Sequence, residues 1–321
     1  MARLFIVYPD PFMLESSRSR QTNGLDYMAR NRKIQNIIEY LVFLPLATIL
    51  RIFPRTFALR LGEQLGRLAM HLVPSRRKLA KENIRLSYPD MSSSDVHDLC
   101  RRTFRHLGIS VAEMIRIDMF KEEDLDKHFT IEGLENLEKA RNMGRGVLLA
   151  TGHVGFWEVG TFFLPVLGFP CAFVAKKTKN PYINDYVVKM REHSGGQVID
   201  AKKGARQIVK TLSDGSCVAV LIDHHIRKSE AVQVPFFGRP AWTTPIITQI
   251  AMKHDIPVVP IFVFRTDDLK YRTVISEPIL LEGEVTDENI TANTALLTRI
   301  IEDAIRVEPS QWFWVHTRWK E

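Results

Sequence analysis

His153 and Glu158, five residues apart at the end of a short apolar run, are the pair in this chain best placed for acid–base chemistry. The stretch Gly146 to Gly160 reads GVLLATGHVGFWEVG. Val147-Leu148-Leu149-Ala150 is long enough for one buried strand, and Thr151-Gly152 breaks it. Phe156, Trp157, Val159, Phe162, Phe163 and Leu164 then read as a helix against apolar surroundings, which puts His153 at a strand-to-helix junction. Two helical residues five apart point about 140° away from each other, so the pair cannot meet inside one regular helix. It meets if His153 lies on the loop and Gly155 turns the backbone before the helix begins. Glu158 in the first turn would hold one imidazole nitrogen, fix the tautomer and leave the other nitrogen as a general base. The spacing suits a dyad at the mouth of a sheet and not a helical metal site. The plain alternative is a packed histidine beside a solvated glutamate.

Further polar residues close other apolar runs. Lys176 and Lys177 follow Cys171 to Ala175 and could meet a phosphate or an oxyanion, or form an ordinary solvated pair. Asp223, His224 and His225 follow Cys217 to Ile222 and invite a metal reading. Adjacent imidazoles project differently from extended backbone, and no third His or Cys ligand is suggested nearby, so no metal is expected. A Gly-x-Ser-x-Gly elbow is absent, which argues against a covalent serine route.

The His153 stretch resembles the bacterial lysophospholipid-type acyltransferase superfamily, marked by a His, four residues, then Asp or Glu. More narrowly it is similar to the lipid A biosynthesis acyltransferases (lauroyl/myristoyl transferases), which use the Glu form. The resemblance continues in KNPYIND (Lys179 to Asp185), VLIDHH (Val220 to His225), VPFFGRPAWTTP (Val234 to Pro245), VVPIFVFR (Val258 to Arg265) and WFWVHTRWK (Trp312 to Lys320). It runs in order from Arg32 to the C-terminus.

This resemblance implies transfer of a fatty acyl group from acyl carrier protein, or coenzyme A, to a lipid A precursor hydroxyl. Attack would be direct, without an acyl-enzyme, with His153 as base, Glu158 as its orienter and no cofactor. The family has an Arg apparently aligned with Lys176; lysine keeps the charge and loses the bidentate fork. It has an Asp at the position of Asp223, for which a substrate-side or loop-ordering role is expected. Arg239 and Arg265 could meet headgroup phosphates. Phe236 and Phe237 are either the wall of an acyl slot or plain core. The resemblance also places the protein on the cytoplasmic face of a bacterial inner membrane. Rival readings are another glycolipid or lysophospholipid as acceptor, a metal-dependent hydrolase using His224 and His225, and a non-catalytic lipid-binding protein.

These residues need elements to position them. Past Arg141, candidate strands alternate with helices. The strands are Gly146–Thr151, Cys171–Lys176, Gln197–Asp200, Cys217–Asp223, Val258–Phe264 and Tyr271–Ser276. The helices are Gly155–Leu164, Pro181–His193, Lys203–Leu212, Thr243–His254 and Glu288–Val307. Alternation of this kind predicts an α/β fold, a mainly parallel sheet flanked by helices with ligands at the C-terminal strand ends. An α/β acyltransferase core is therefore expected over residues 126–321.

Residues 28–125 read as a helical, basic, membrane-associating segment, and 1–27 as a disordered or non-native extension with the natural start at Met28. The 321 residues carry a net charge of +7, and residues 1–85 alone sum to +9. Such a basic third suggests a membrane surface or nucleic acid, and no nucleic-acid-binding motif is present. The uncharged run Tyr40 to Leu50 is shorter than the ~20 residues of a comfortable span, so a one-sided anchor or marginal span is expected. Cys100, Cys171 and Cys217 form neither a disulfide framework nor a zinc pattern.

Overall fold

The computed structural model describes residues 11–201 and 204–320, with side chains from residue 31 onward. Of the extension expected over 1–27, residues 1–10 lie outside the described residues, and helix α1 (Pro11–Ile52) runs through the rest. Three helices follow: α2 (Arg55–Leu72), α3 (Pro74–Ser87) and α4 (Ser93–Met114). Pro74 opens α3, where its missing N–H costs nothing. Ser92 caps α4 by accepting from the Asp95 N–H at 3.2 Å. Helices α2 and α4 cross closely because Gly62 and Gly66 face Gly108; a Cβ on Gly62 would stand 2.6 Å from the Gly108 carbonyl.

The chain then passes through α5 (Asp124–His128), β1 (Phe129–Glu132), α6 (Leu134–Arg141) and β2 (Val147–Thr151). A 3-10 turn at Trp157–Val159 leads into α7 (Gly160–Val166), β3 (Cys171–Ala175), α8 (Pro181–Glu192) and β4 (Gln197–Asp200). Next come α9 (Gly204–Ser213), β5 (Cys217–Leu221), β6 (Val232–Phe236) and β7 (Arg239–Thr243). Helix α10 (Ile246–His254), β8 (Val258–Arg265), β9 (Tyr271–Ile275) and α11 (Asp287–Val307) complete the order.

Seven strands form one sheet in the order β1-β9-β8-β2-β5-β3-β4. The pairs from β8 to β4 are parallel; β9 runs antiparallel to β8, with β1 parallel to β9. The mainly parallel α/β reading holds. Strand β2 is buried at every position, and its alternate residues enter two different cores. Leu148 and Ala150 join Val218, Val258 and Ile301 on one face. Leu149 joins Ala219, Ile261 and Phe163 on the other. Met70, Ile84, Leu99 and Phe104 from α2–α4 belong to the first of these cores, so the N-terminal helices pack on the sheet.

This packing overturns the expectation for Arg265 and decides between the two readings of Phe236 and Phe237. Arg265 is 7% exposed, and its guanidinium pairs with Glu113 of α4. Arg55 donates to the same carboxylate at 2.8 and 2.5 Å, and Ser110 accepts from Arg265 at 3.3 Å. Burial would raise the Glu113 carboxyl, but the two guanidinium charges outweigh it and hold the group below its ordinary value. Arg265 thus ties α4 to the sheet and is closed to a headgroup phosphate. Phe236 and Phe237 are core, not slot wall: the antiparallel β6–β7 pair folds Phe236 to 5.4 Å from the Trp312 ring, with the Arg318 guanidinium 4.8 Å over its own. Arg239 is exposed at the start of β7.

Helix α1 differs from the short apolar run expected. Asn31–Ile52 is a 22-residue segment of mean hydropathy 1.3, long and apolar enough to cross a membrane by length and composition. Beyond Arg32 and Lys33 at its start, the two charges that interrupt it, Glu39 and Arg51, are engaged by the protein. Glu39 accepts from Asn180 at 3.0 Å and Gln35 at 2.8 Å, and Arg51 pairs with Asp118 at 2.5 Å. Ile38, Leu41, Val42 and Ile52 stay more than half exposed.

Candidate active site

Strands β2 and β5 lie side by side with Thr151 opposite Leu221. His153 and Asp223 each stand two positions further on, so they leave the C-terminal edge of the sheet together. The His153 Nδ1–H donates to Asp223 Oδ1 at 2.7 Å, and the His153 backbone N–H donates to Oδ2 at 2.8 Å. The Trp312 indole N–H donates to the same Oδ2 at 2.8 Å. Burial by itself would raise the Asp223 carboxyl, but the adjacent His153 ring and these donors hold it well below the usual carboxylate range. The imidazole is thereby fixed with Nε2 as its free nitrogen.

The partner expected for His153 is different. The loop after His153 turns at Gly155, as expected, with φ +65; a Cβ there would meet the Val263 carbonyl at 1.8 Å. The Gly155 N–H donates to the Gln311 carbonyl at 2.9 Å, and the His106 side chain bonds the Gly155 carbonyl at 3.1 Å. The 3-10 turn then carries Glu158 toward α8, where Arg191 donates to it at 2.8 and 2.5 Å. Among the described hydrogen bonds, Glu158 makes none to His153. Asp223 takes the place at the imidazole expected of Glu158; of the substrate-side or loop-ordering role expected for it, its bond to the His153 backbone N–H is of the loop-ordering kind.

A cavity of 220 Å³ opens beside His153, between the sheet and α7. Leu149, Phe163, Leu164, Phe173, Ala219 and Ile261 give it apolar walls. His153, Glu158, Lys176, Arg191 and His224 also line it. Lys176 is exposed there, and Lys177 pairs with Asp200 at 3.5 Å. Arg239, Arg265, Phe236 and Phe237 are not among its lining residues.

Three imidazoles stack in a column: His224 lies 3.5 Å from His153 at an angle of 1°, and His316 lies 3.8 Å from His224. Burial pushes His224 down to about 3 and His316 down to about 4, so both are neutral near pH 7. The donor atoms of His153, Asp223 and His224 lie within 4.8 Å of one another, a group that could hold a metal ion. Asp223 already accepts three hydrogen bonds, one of them from the His153 Nδ1–H, so its carboxylate is engaged in holding the imidazole and its loop. His225 is outside the group.

These buried imidazoles set a pH dependence of stability. His106 is also pushed down to about 3 by burial. An unfolded chain protonates all three near their ordinary value of about 6.5, so below that pH the unfolded state binds more protons. Stability is therefore full above pH ~6.5 and falls as the pH drops toward 4, by up to ~1.4 kcal/mol per pH unit for each of His106 and His224 and by less for the partly exposed, solvent-screened His316. Melting temperatures recorded from pH 7.5 to 4.5 should fall steadily; a flat profile would show that these rings titrate freely in the folded protein.

Comparison with known proteins gives one family. The sequence profile described as bacterial lipid A biosynthesis acyltransferase matches residues 27–321. The chain is 26% identical over 263 residues to an Escherichia coli lipid A biosynthesis palmitoleoyltransferase, covering 81% of this chain and 84% of that one. It is equally 26% identical to an Escherichia coli lipid A biosynthesis lauroyltransferase, over 81% and 84% of the two chains. A phosphatidylinositol mannoside acyltransferase from Mycolicibacterium smegmatis is 23% identical, over 69% of this chain and 72% of its own.

Proposed function

The chain belongs to the bacterial lipid A biosynthesis acyltransferase family, and from that premise we propose that it acylates a hydroxyl of a lipid A precursor, with His153 as the general base. The observation that carries the proposal is the His153–Asp223 pair at an apolar cavity, with Nε2 of the imidazole left free. The acceptor hydroxyl gives its proton to Nε2 while its oxygen attacks the thioester carbonyl. Asp223 steadies the imidazolium that forms. The tetrahedral oxyanion then collapses, the C–S bond breaks, and the leaving sulfur takes the proton back from Nε2, leaving an ester and a thiol. The apolar walls take the acyl chain. Lys176, on the same cavity, is the cation for the oxyanion or a donor phosphate, and the Glu158–Arg191 pair forms a charged wall beside it.

The donor is an acyl thioester of acyl carrier protein, with coenzyme A as the other carrier to test. Purified protein is given each acyl thioester with a lipid A precursor, and the ester is followed by mass spectrometry. Ester formation from the carrier-protein thioester is expected. A purified, folded protein that releases free fatty acid but forms no lipid ester would overturn the transferase assignment. A parallel arm with a phosphatidylinositol mannoside acceptor tests the second acceptor class, to which the mycobacterial relative points.

The working place proposed is the cytoplasmic face of the inner membrane. The exposed apolar face of α1 and the basic N-terminal third support it. Replacing Ile38, Leu41 and Val42 with Ser should reduce co-flotation with anionic liposomes while the melting temperature holds. Equal flotation of the triple variant and the wild type would remove α1 as the anchor.

A further inference from the structure

Trp312 is 1% exposed in an aromatic cluster, yet its indole N–H points at the site, donating to Asp223 Oδ2 at 2.8 Å. The same C-terminal segment grips the loop that carries the base. Its Gln311 carbonyl accepts from the Gly155 N–H at 2.9 Å, and its Phe313 N–H donates to the His153 carbonyl at 3.1 Å. Residues 311–313 therefore bond both halves of the dyad, although they lie about 90 positions beyond Asp223.

We propose that Trp312 is a positioning residue for acyl transfer: its N–H pins the Asp223 carboxylate so that Oδ1 faces His153 Nδ1. The proposal rests on the assignment of His153 as base. A buried carboxylate held at Oδ2 by two donors cannot rotate about its Cβ–Cγ bond. Without the indole donor, Oδ2 keeps only the His153 backbone N–H, and a lone pair is left unmet on a carboxylate that is 1% exposed. Apolar filling alone would be met by phenylalanine or leucine; a buried tryptophan also needs a partner for its N–H, and here that partner is Asp223. Neighbouring Trp314 supplies the contrast. It is equally buried, its ring lies 4.5 Å from that of Trp312, and its N–H donates to the Pro309 carbonyl at 2.7 Å, away from the dyad.

The test uses the full chain in detergent with an acyl thioester and lipid acceptor. Two variants remove the donor: Trp312→Phe, and Trp312→β-(3-benzothienyl)alanine, which keeps the indole shape but replaces N–H with sulfur. For both, kcat should fall about 10- to 100-fold, the usual effect of losing a group that orients a reactive one, while KM for both substrates holds. Trp314→Phe should leave kcat unchanged. Wild-type kcat in the isosteric Trp312 variant would overturn the proposal, as would an equal loss of kcat in Trp314→Phe. His153→Ala in the same series separates the two claims. If it is inactive while the isosteric Trp312 variant is fully active, only the role of Trp312 fails. If it too is fully active, the base assignment fails with it.

Discussion

Asp223→Asn is expected to lower turnover by roughly 10⁴-fold, the scale of the same exchange in a Ser-His-Asp site. Asparagine keeps the shape but loses the charge, and its amide can donate to His153 Nδ1. That would turn Nε2 into an N–H donor, and the ring could no longer take the acceptor proton. The fold should survive, because the Asn oxygen can still accept from the His153 backbone N–H and the Trp312 indole. Stopped assays under saturating acceptor, with melting temperature taken on the same sample, check this. Glu158→Gln should cost less, since that carboxylate faces Arg191. The reverse ranking would reinstate a direct partnership between His153 and Glu158.

Arg265→Ala should unfold or severely destabilise the protein, by about 3–5 kcal/mol, the usual effect of removing one member of a buried ion pair. Glu113 would be left buried with Arg55 alone, and the contact between α4 and the end of β8 would lose its charged centre. Chemical denaturation of the variant measures the loss. A stable Arg265→Ala protein with wild-type kcat and a raised acceptor KM would return Arg265 to headgroup capture.

The parallel core is legible in the sequence because β2, β3, β5 and β8 are apolar runs separated by helical periods. Strand β1 is a short edge strand of half-buried alternation, and β6 and β7 carry Pro235 and Pro240, which mask a strand pattern. The turn at Gly155 and the placing of His153 on a loop are legible as well. The partner of that histidine is not, since local spacing favours Glu158 while the true neighbour lies 70 residues away. A signal for it does exist: two apolar runs ending Thr151-Gly-His153 and Leu221-Ile-Asp223 would place both side chains level if paired in register. Arg265 misleads for a related reason, because a cation closing an apolar strand reads as a rim residue until α4 supplies Glu113. Phe236 and Phe237 were open between slot and core, and only the fold of the hairpin onto Trp312 decides it.

The most direct test of the account is turnover of an acyl thioester by His153→Ala under saturating lipid acceptor, with melting temperature recorded on the same protein. The account predicts a loss of roughly 10²–10⁴-fold, the contribution of a positioned general base, with the fold intact and acceptor binding preserved. A stable, folded His153→Ala protein turning over at near wild-type rate would contradict it.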